Sequence, residues 1–316
     1  MTTIFKLFAG PYSTLVPAGN SAQTILNLFW WMVGGAFFIW LLFVCILFYA
    51  LIRPHPHNAR RTAILIIGGG VIFPIVVLVV LLYFSITPLP GLLKPAPKES
   101  LMVEVSAAQW WWRINYLGPN GKKIELANEI RLPLNEPVQF NLKSVDVIHS
   151  FWIPSLSGKI DIIPGRETML SLTPTKVGIF GGVCAEFCGI SHSLMKLKVV
   201  IMEKEKFVKW LEAQEAPAKP PASVSANSGL KSFMANGCLA CHSVRGVGNF
   251  GVLGPDLTHV GSRLSIGAGI LPNTETTLHS WISRTHKIKP GVNMPTFDML
   301  PEEELQNIAV WLKGLL

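Results

Sequence analysis

Along the chain the apolar positions change rhythm three times. From Leu26 to Ile52 and from Ala63 to Thr87 they run almost unbroken, and neither stretch holds an Asp, Glu, Lys or Arg. Each exceeds the roughly 20 residues a helix needs to cross a hydrocarbon core about 30 Å thick. A core helix of a soluble protein would be shorter or show a polar face. Both stretches are therefore read as membrane spans forming a helical hairpin over 26–87. Gly68-Gly69-Gly70 and Pro74 fall inside the second span, where membrane helices tolerate them, and a kink near Pro74 is predicted. The connection from Arg53 to Arg61 carries three arginines, whereas residues 1–25 carry only Lys6. The positive-inside bias places this short loop in the cytoplasm and the tail 1–25, with everything after Thr87, outside. Phe5 to Pro17 lacks a sustained apolar run, so no cleavable signal is expected. The first span would then serve as its own export signal.

After the proline-rich joint from Pro88 to Lys98 the period becomes two. Val138, Phe140 and Leu142 alternate with Gln139, Asn141 and Lys143, and Leu197, Val199 and Ile201 alternate with Lys196 and Lys198. Turn residues at Gly118-Pro119-Asn120-Gly121, Asn135-Glu136-Pro137 and Pro164-Gly165 punctuate the runs. Short half-buried strands of this kind predict an all-β sandwich or barrel over 95–212, closed by a helix at Glu203–Glu212. Residues 213–229 are rich in Ala, Pro and Ser without apolar periodicity and read as a semi-flexible linker. Within 230–316 a helical period appears from Pro301 onward. Pro301 with Glu302 to Glu304 opens a helix on which Leu305, Ile308, Ala309 and Leu312 share a face.

Composition agrees with a membrane-anchored protein. Half of the 316 residues are hydrophobic and 15% are charged, against roughly 25% charged in an ordinary soluble domain. The formal charge is +8. No Lys/Arg-rich run of five or more carries it, so a nucleic-acid partner is not supported. The five cysteines are Cys45 and two close pairs, a pattern of ligation rather than of a disulfide framework.

The first pair lies in Cys184-Ala185-Glu186-Phe187-Cys188-Gly189-Ile190-Ser191-His192-Ser193-Leu194-Met195, with His149 upstream in Asp146-Val147-Ile148-His149-Ser150. Soft sulfur ligands with imidazole select Cu(I), Zn or Fe–S, and a thioether favours copper. Structural zinc in a Cys2His2 site and a Cys184–Cys188 disulfide are the competing readings. The second pair lies in Cys238-Leu239-Ala240-Cys241-His242, the c-type haem attachment pattern, with two thioethers to the porphyrin and His242 as proximal ligand. A thioredoxin-like motif would need a βαβ setting, and half a zinc site would need a second ligand pair. For the distal ligand Met294, in a Met-Pro step, is the first candidate and Met299 the second. His259, His279 or His286 would give a bis-His haem. Methionine ligation raises the potential, which suits delivery to copper.

The run Cys-x-Glu-x-Cys-x-x-x-His-x-x-Met after Asp-x-x-His-Ser strongly resembles the dinuclear copper site (CuA) of cytochrome c oxidase subunit II. The likeness extends through the hairpin and Gln109-Trp110-Trp111-Trp112, over about residues 12–210. It implies a cupredoxin fold in which Cys184 and Cys188 bridge two coppers and His149 and His192 each terminate one. Met195 and the Glu186 carbonyl would be weak outer ligands. The Glu186 carboxylate matches a family position that ligates magnesium at the subunit I interface; a solvated loop carboxylate is the plainer reading. Trp110 would be the electron-input patch above the copper, and Asp146 would help dock a basic cytochrome c. A strand through these tryptophans would put Trp110 and Trp112 on one face and Trp111 on the other.

The segment 230–316 is similar to a class I cytochrome c, an all-α fold, with Gly254-Pro255-Asp256-Leu257 matching the segment whose proline carbonyl orients the proximal histidine. Together the resemblances imply the electron-input subunit of a respiratory oxidase of the bacterial inner membrane, with its cytochrome fused on. Subunit I and subunit III would be its partners, and a periplasmic cytochrome c or a quinol-oxidising complex its donor. Oxygen reduction with proton translocation would occur in subunit I. One departure stands out: the second span lacks the carboxylate that many relatives place at a proton-channel mouth. A copper and haem relay feeding a nitric oxide reductase is thus an alternative. A membrane-anchored copper-delivery protein, which has no need of covalent haem, and a haem sensor, which wants an open distal position, are the others.

Overall fold

The computed structural model describes residues 10–53, 58–118, 121–248 and 251–316. Lys6 and the loop residues 54–57, on which the predicted orientation partly rests, lie outside the described residues, as does the turn at 119–120. Helix α1 (Asn20–Ile52) has 33 residues, about 50 Å at 1.5 Å per residue. It begins six residues before the predicted span because Gly19 is held in extended form by a bridge to Pro174. The first turns, Ser21, Ala22 and Leu26, are buried, while the rest of the helix presents apolar side chains outward.

The second span is continuous from Ala59 to Leu92 and opens with Asn58, whose side chain caps the amides of Arg60 and Arg61. It consists of α2 (Ala59–Ile67), a π-turn (Gly68–Ile72), α3 (Phe73–Ile86) and the short α4 (Leu89–Leu92). The π-turn is the form taken by the predicted discontinuity. Pro74 has no N–H to give the preceding turn, and the Phe73 amide reaches back five residues to the Gly68 carbonyl.

Ten strands follow: β1 (Leu101–Ala108), β2 (Trp111–Leu117), β3 (Lys123–Ala127), β4 (Glu129–Pro133), β5 (Val138–Ser144), β6 (His149–Trp152), β7 (Ile160–Ile162), β8 (Thr168–Leu172), β9 (Gly178–Cys184) and β10 (Lys196–Met202). They form two five-stranded sheets in the orders β3-β2-β1-β5-β8 and β4-β10-β9-β6-β7. Facing rows bury Val103, Val105, Trp112, Ile114, Phe140 and Leu142 against Phe151, Leu197, Val199 and Ile201, the usual way a sandwich fills its core. Gln139, predicted polar and outward, is also buried, with its carboxamide accepting from the Ala96 amide. Helix α5 (Lys204–Gln214) closes the lobe through Phe207 and Leu211.

The lobe is tied to both spans. Residues 10–19 lie along it: the Gly181 amide bonds to the Pro11 carbonyl and the Thr175 amide to the Ala18 carbonyl, both at 2.7 Å. On the other side, Ser171 Oγ and Gln139 hold the segment leaving the second span at Lys94 and Ala96.

The predicted linker is shorter than expected. Helix α6 (Val224–Ala235) begins inside it, capped by Ser223 Oγ accepting from the Ala226 amide at 3.0 Å. Its small residues are a packing surface and not a spacer. Ala226 is buried, and a Cβ on Gly229 would lie 2.0 Å from the Asn307 carbonyl oxygen. The helix it meets is α8 (Glu302–Gly314), joined by the Phe233–Trp311 ring contact at 4.8 Å. Helix α7 (Glu275–Ile288) and the small hairpin β11 (Ser265–Ile266) and β12 (Leu271–Pro272) complete a lobe with its own core.

Candidate redox centres

The ends of strands bring the sulfur and imidazole groups together. His149 opens β6, Cys184 ends β9, and the pairing of Phe151 with Cys184 sets the two side by side. The loop after Cys184 returns through a 3-10 turn (His192–Leu194) to Met195, whose carbonyl accepts from the Cys184 amide at 3.0 Å. Gly189 allows this loop its shape, with φ at 114° and a Trp110 ring 3.0 Å from where a Cβ would stand.

Cys184 and Cys188 are both free, their sulfurs 3.8 Å apart. His149 Nδ1 is 3.7 Å from Cys184 Sγ, and His192 Nδ1 is 3.4 Å from Cys188 Sγ. Met195 Sδ lies 3.9 Å from Cys188 Sγ, and the Glu186 carbonyl oxygen 3.2 Å from Cys184 Sγ. All the expected donor atoms thus converge, and His149, Cys184, Cys188 and Met195 are buried. A zinc site has no use for a buried thioether aimed at one thiol, whereas soft sulfur donors with imidazole fit copper.

Protonation follows the same geometry. Burial works against ionisation of Cys184, but the His149 ring and the backbone at Glu186 and Ser150 outweigh it and hold the thiol below its ordinary value. Burial, then the neighbouring Cys184, pushes Cys188 up to about 12. Burial opposes charge on His149 too, yet Cys184 and Asp146 together raise it above the ordinary histidine value.

Asp146 has a structural occupation that the motif alone did not reveal. Its Oδ1 lies 2.8 Å from His149 Nε2, and its Oδ2 accepts from the Gln109 amide at 2.6 Å. Such a partner fixes the tautomer and aim of a metal-binding ring and typically supports 10- to 100-fold in metal affinity. An Asp146→Ala chain is therefore expected to lose copper about 10- to 100-fold more readily, measured as copper content after dialysis against graded chelator. The Glu186 carboxylate is exposed and lies 3.8 Å from Lys159 Nζ.

The second centre is a cavity of about 400 Å³ in the helical lobe, walled by Phe233, Leu257, Trp281, Ile282, Phe297 and Ile308 among others. Cys238, Cys241, His242 and Met294 all face it. The His242 Nδ1 is 2.8 Å from the Pro255 carbonyl, which leaves Nε2 for a metal. Burial, the larger influence, holds the His242 pKa below the ordinary value despite that bond. The neutral ring so favoured is the ligand form.

The donor set and apolar walls fit a covalent haem, and the buried Ser265 Oγ on the same wall has no partner. Met299 is 71% exposed and outside the lining. His259 is committed to the Leu316 and Ala216 carbonyls, and neither His279 nor His286 lines the cavity.

The tryptophans depart from strict alternation. Strand β2 starts at Trp111, so Trp110 stands in the turn before it. Trp112 points into the sandwich, fully buried, edge-on to His149 and Phe151. Trp110 instead joins Trp111 on the wall of the helical lobe's cavity. Its indole Nε1 donates to the Cys188 carbonyl at 2.9 Å, beside Gln109 Nε2 at 2.7 Å on the same oxygen. Sequence reasoning gave Gln109 no role beyond its place in the tryptophan motif and missed Lys289; both also line the cavity. Gln109 is a lone polar residue beside three tryptophans and Lys289 stands between Ile288 and Pro290, and nothing periodic marks either.

Fold and centres together define a membrane-anchored electron carrier: an apolar hairpin, a β-sandwich with a thiolate–imidazole cluster, and a helical c-type cytochrome lobe. The comparisons agree. "Cytochrome C oxidase subunit II, periplasmic domain" matches residues 117–202 and "Cytochrome c" matches residues 226–316. "Cytochrome c oxidase subunit 2" of Alkalihalophilus pseudofirmus is 34% identical over 252 residues, covering 77% of this chain and 71% of that one. The protein of the same name from Bacillus subtilis is 33% identical over 228 residues, covering 69% and 63%. The periplasmic domain of subunit II of a Bradyrhizobium japonicum cytochrome oxidase, a crystal structure, is 30% identical with a TM-score of 0.35, covering 38% of this chain and 96% of that one. This chain belongs to the cytochrome c oxidase subunit 2 family, the electron-input subunits of haem–copper oxidases, with a cytochrome c domain. Copper, haem c, the inner membrane and a subunit I partner come with that membership.

Proposed function

We propose that the chain takes single electrons from a periplasmic donor at a covalent haem c and passes them through a dinuclear CuA centre to subunit I. There oxygen would be reduced to water with proton translocation. The observation that carries this reading is Trp110, whose ring lines the cavity that Cys238, Cys241, His242 and Met294 face, while its indole N–H holds the carbonyl of Cys188. When bound, the metals supply one-electron redox chemistry. The chain's residues do the rest. Cys238 and Cys241 would tether the porphyrin, and His242 and Met294 would hold its iron. Cys184, Cys188, His149 and His192 would hold the copper pair from a rigid sandwich, with Met195 and the Glu186 carbonyl as outer donors. The exposed Glu186 carboxylate would serve magnesium only if subunit I draws it from Lys159. Residues 10–19 bonded to the β lobe support an orientation with the N-terminus on the periplasmic side. A donor (cytochrome c or a quinol-oxidising complex) and subunit III complete the assembly.

The test is the native complex. Two coppers and one haem c per chain are expected, with copper reduced after flash photoreduction of the haem and oxygen consumed in turnover. One readily chelated copper would favour copper delivery, and nitric oxide turnover without oxygen turnover would favour the reductase. Met294→Ala is expected to lower the haem potential and let the reduced haem bind carbon monoxide; Met299→Ala should do neither. Redox titration and the carbon monoxide difference spectrum check both.

A further inference from the structure

Lys289, just past the end of α7, is 2% exposed, an unusual place for a lysine. Its Nζ donates to the Trp110 carbonyl at 2.6 Å, the Leu194 carbonyl at 2.9 Å and the Gly267 carbonyl at 3.1 Å. Trp110 and Leu194 belong to the copper lobe, and Gly267 belongs to the haem lobe. An ammonium has three N–H donors and a neutral amine two, so three carbonyl acceptors are the coordination of the charged form. Burial draws its pKa down to about 7, against the attraction of the nearby Cys188. No carboxylate is among these three partners. A buried charge is costly unless every donor is used, and here every donor is used, two of them across the joint between lobes.

The surroundings repeat the pattern. Ser191 Oγ donates to the Pro290 carbonyl at 2.6 Å, and the Lys196 amide donates to the Ala268 carbonyl at 3.0 Å. On the far side of the joint, Glu129 accepts from the Leu264 amide at 2.7 Å, and Arg113 donates to the Val252 carbonyl at 2.6 Å. Gly291, two residues after Lys289, lies directly on the Trp110 ring. A Cβ there would be 2.8 Å from the indole, and the φ of 80° suits glycine. The haem lobe therefore covers Trp110, with Lys289 gripping that residue's own carbonyl.

We propose that Lys289 is a positioning residue that clasps the haem lobe to the copper lobe and reserves the Trp110 face for the chain's own cytochrome, so that an external donor delivers to the haem lobe alone. This rests on the relay reading above for its consequence, though not for its geometry. The test compares Lys289→Gln, Lys289→Arg and the exposed control Lys287→Gln in the full chain within its complex. Two readouts are taken: amide hydrogen exchange over residues 109–112 and 264–268, and haem-to-copper transfer after photoreduction. Losing charge-assisted bonds at the joint should raise exchange in both segments on the order of ten- to hundredfold in Lys289→Gln. Transfer should slow on the order of tenfold or more, as misplacement of reacting groups does. The haem and copper spectra should be unchanged, Lys289→Arg should recover part of both losses, and Lys287→Gln should match the parent chain. Unchanged exchange in Lys289→Gln overturns the clasp. So does an altered haem spectrum with the joint still protected, which would place Lys289 in the haem pocket only. Failure of the parent chain to transfer charge would defeat the relay reading instead, and the exchange comparison would still judge the clasp.

Discussion

A Cys188→Ser chain is expected to keep its haem and lose its copper. The serine hydroxyl is a hard oxygen donor in place of the sulfur that meets Cys184, His192 and Met195 at once, and soft donors are what hold copper against harder competitors. Removing an outer partner of a ligand costs about 10- to 100-fold in affinity, so loss of a sulfur proposed to serve both coppers should exceed ~100-fold. The helical lobe has a separate core and its own ligands, so haem content should stay near one per chain. Metal analysis and electron paramagnetic resonance of the purified complex check this. Wild-type copper content and spectrum in the serine chain would remove Cys188 from the centre.

Trp112→Ala should be the most destabilising single truncation in the β lobe, at about 3–5 kcal/mol. The ring is fully buried and edge-on to both Phe151 and His149, with centroids 5.5 and 6.3 Å away. Its indole N–H has no partner, so truncation forfeits packing and not a hydrogen bond. The void opens directly beside His149, a proposed copper ligand, so copper retention should fall with stability. Denaturant unfolding of the chain in detergent, followed with copper content, measures both. The half-exposed Trp111, which lies under the Arg113 guanidinium, should cost much less when truncated. Equal losses at the two positions would mean that the sandwich core does not organise the copper ligands.

The contrast between these neighbours shows what the sequence alone makes legible. Period two announced the strands at Val138–Leu142 and Leu197–Ile201 because their inner faces must be dry, and those residues are the core. Cys184, Cys188, His192 and Met195 were legible because a short loop forces close spacing into close contact. His149 was not spaced to them, and only the resemblance assigned it. What escaped was set by contacts between distant segments. Helix α6 was hidden in an Ala- and Ser-rich stretch because its face meets α8 through small residues, and small residues look alike in spacers and in tight helix crossings. Trp110 left its strand because its ring is held by Cys188 and Gly291, far along the chain. Lys289 gave no sign at all, since carbonyls are available everywhere and composition does not say which of them gather.

The fastening of the β lobe at two places, through residues 10–19 and through the segment around Lys94 and Ala96, has a mechanical meaning. A lobe on a single stalk could swivel about it, and each productive alignment with a neighbour in the bilayer would have to be found by chance. Two stalks remove that rotation. The orientational entropy is surrendered once, on folding, rather than at every turnover. The copper pocket is then presented at a fixed height and heading above the lipid.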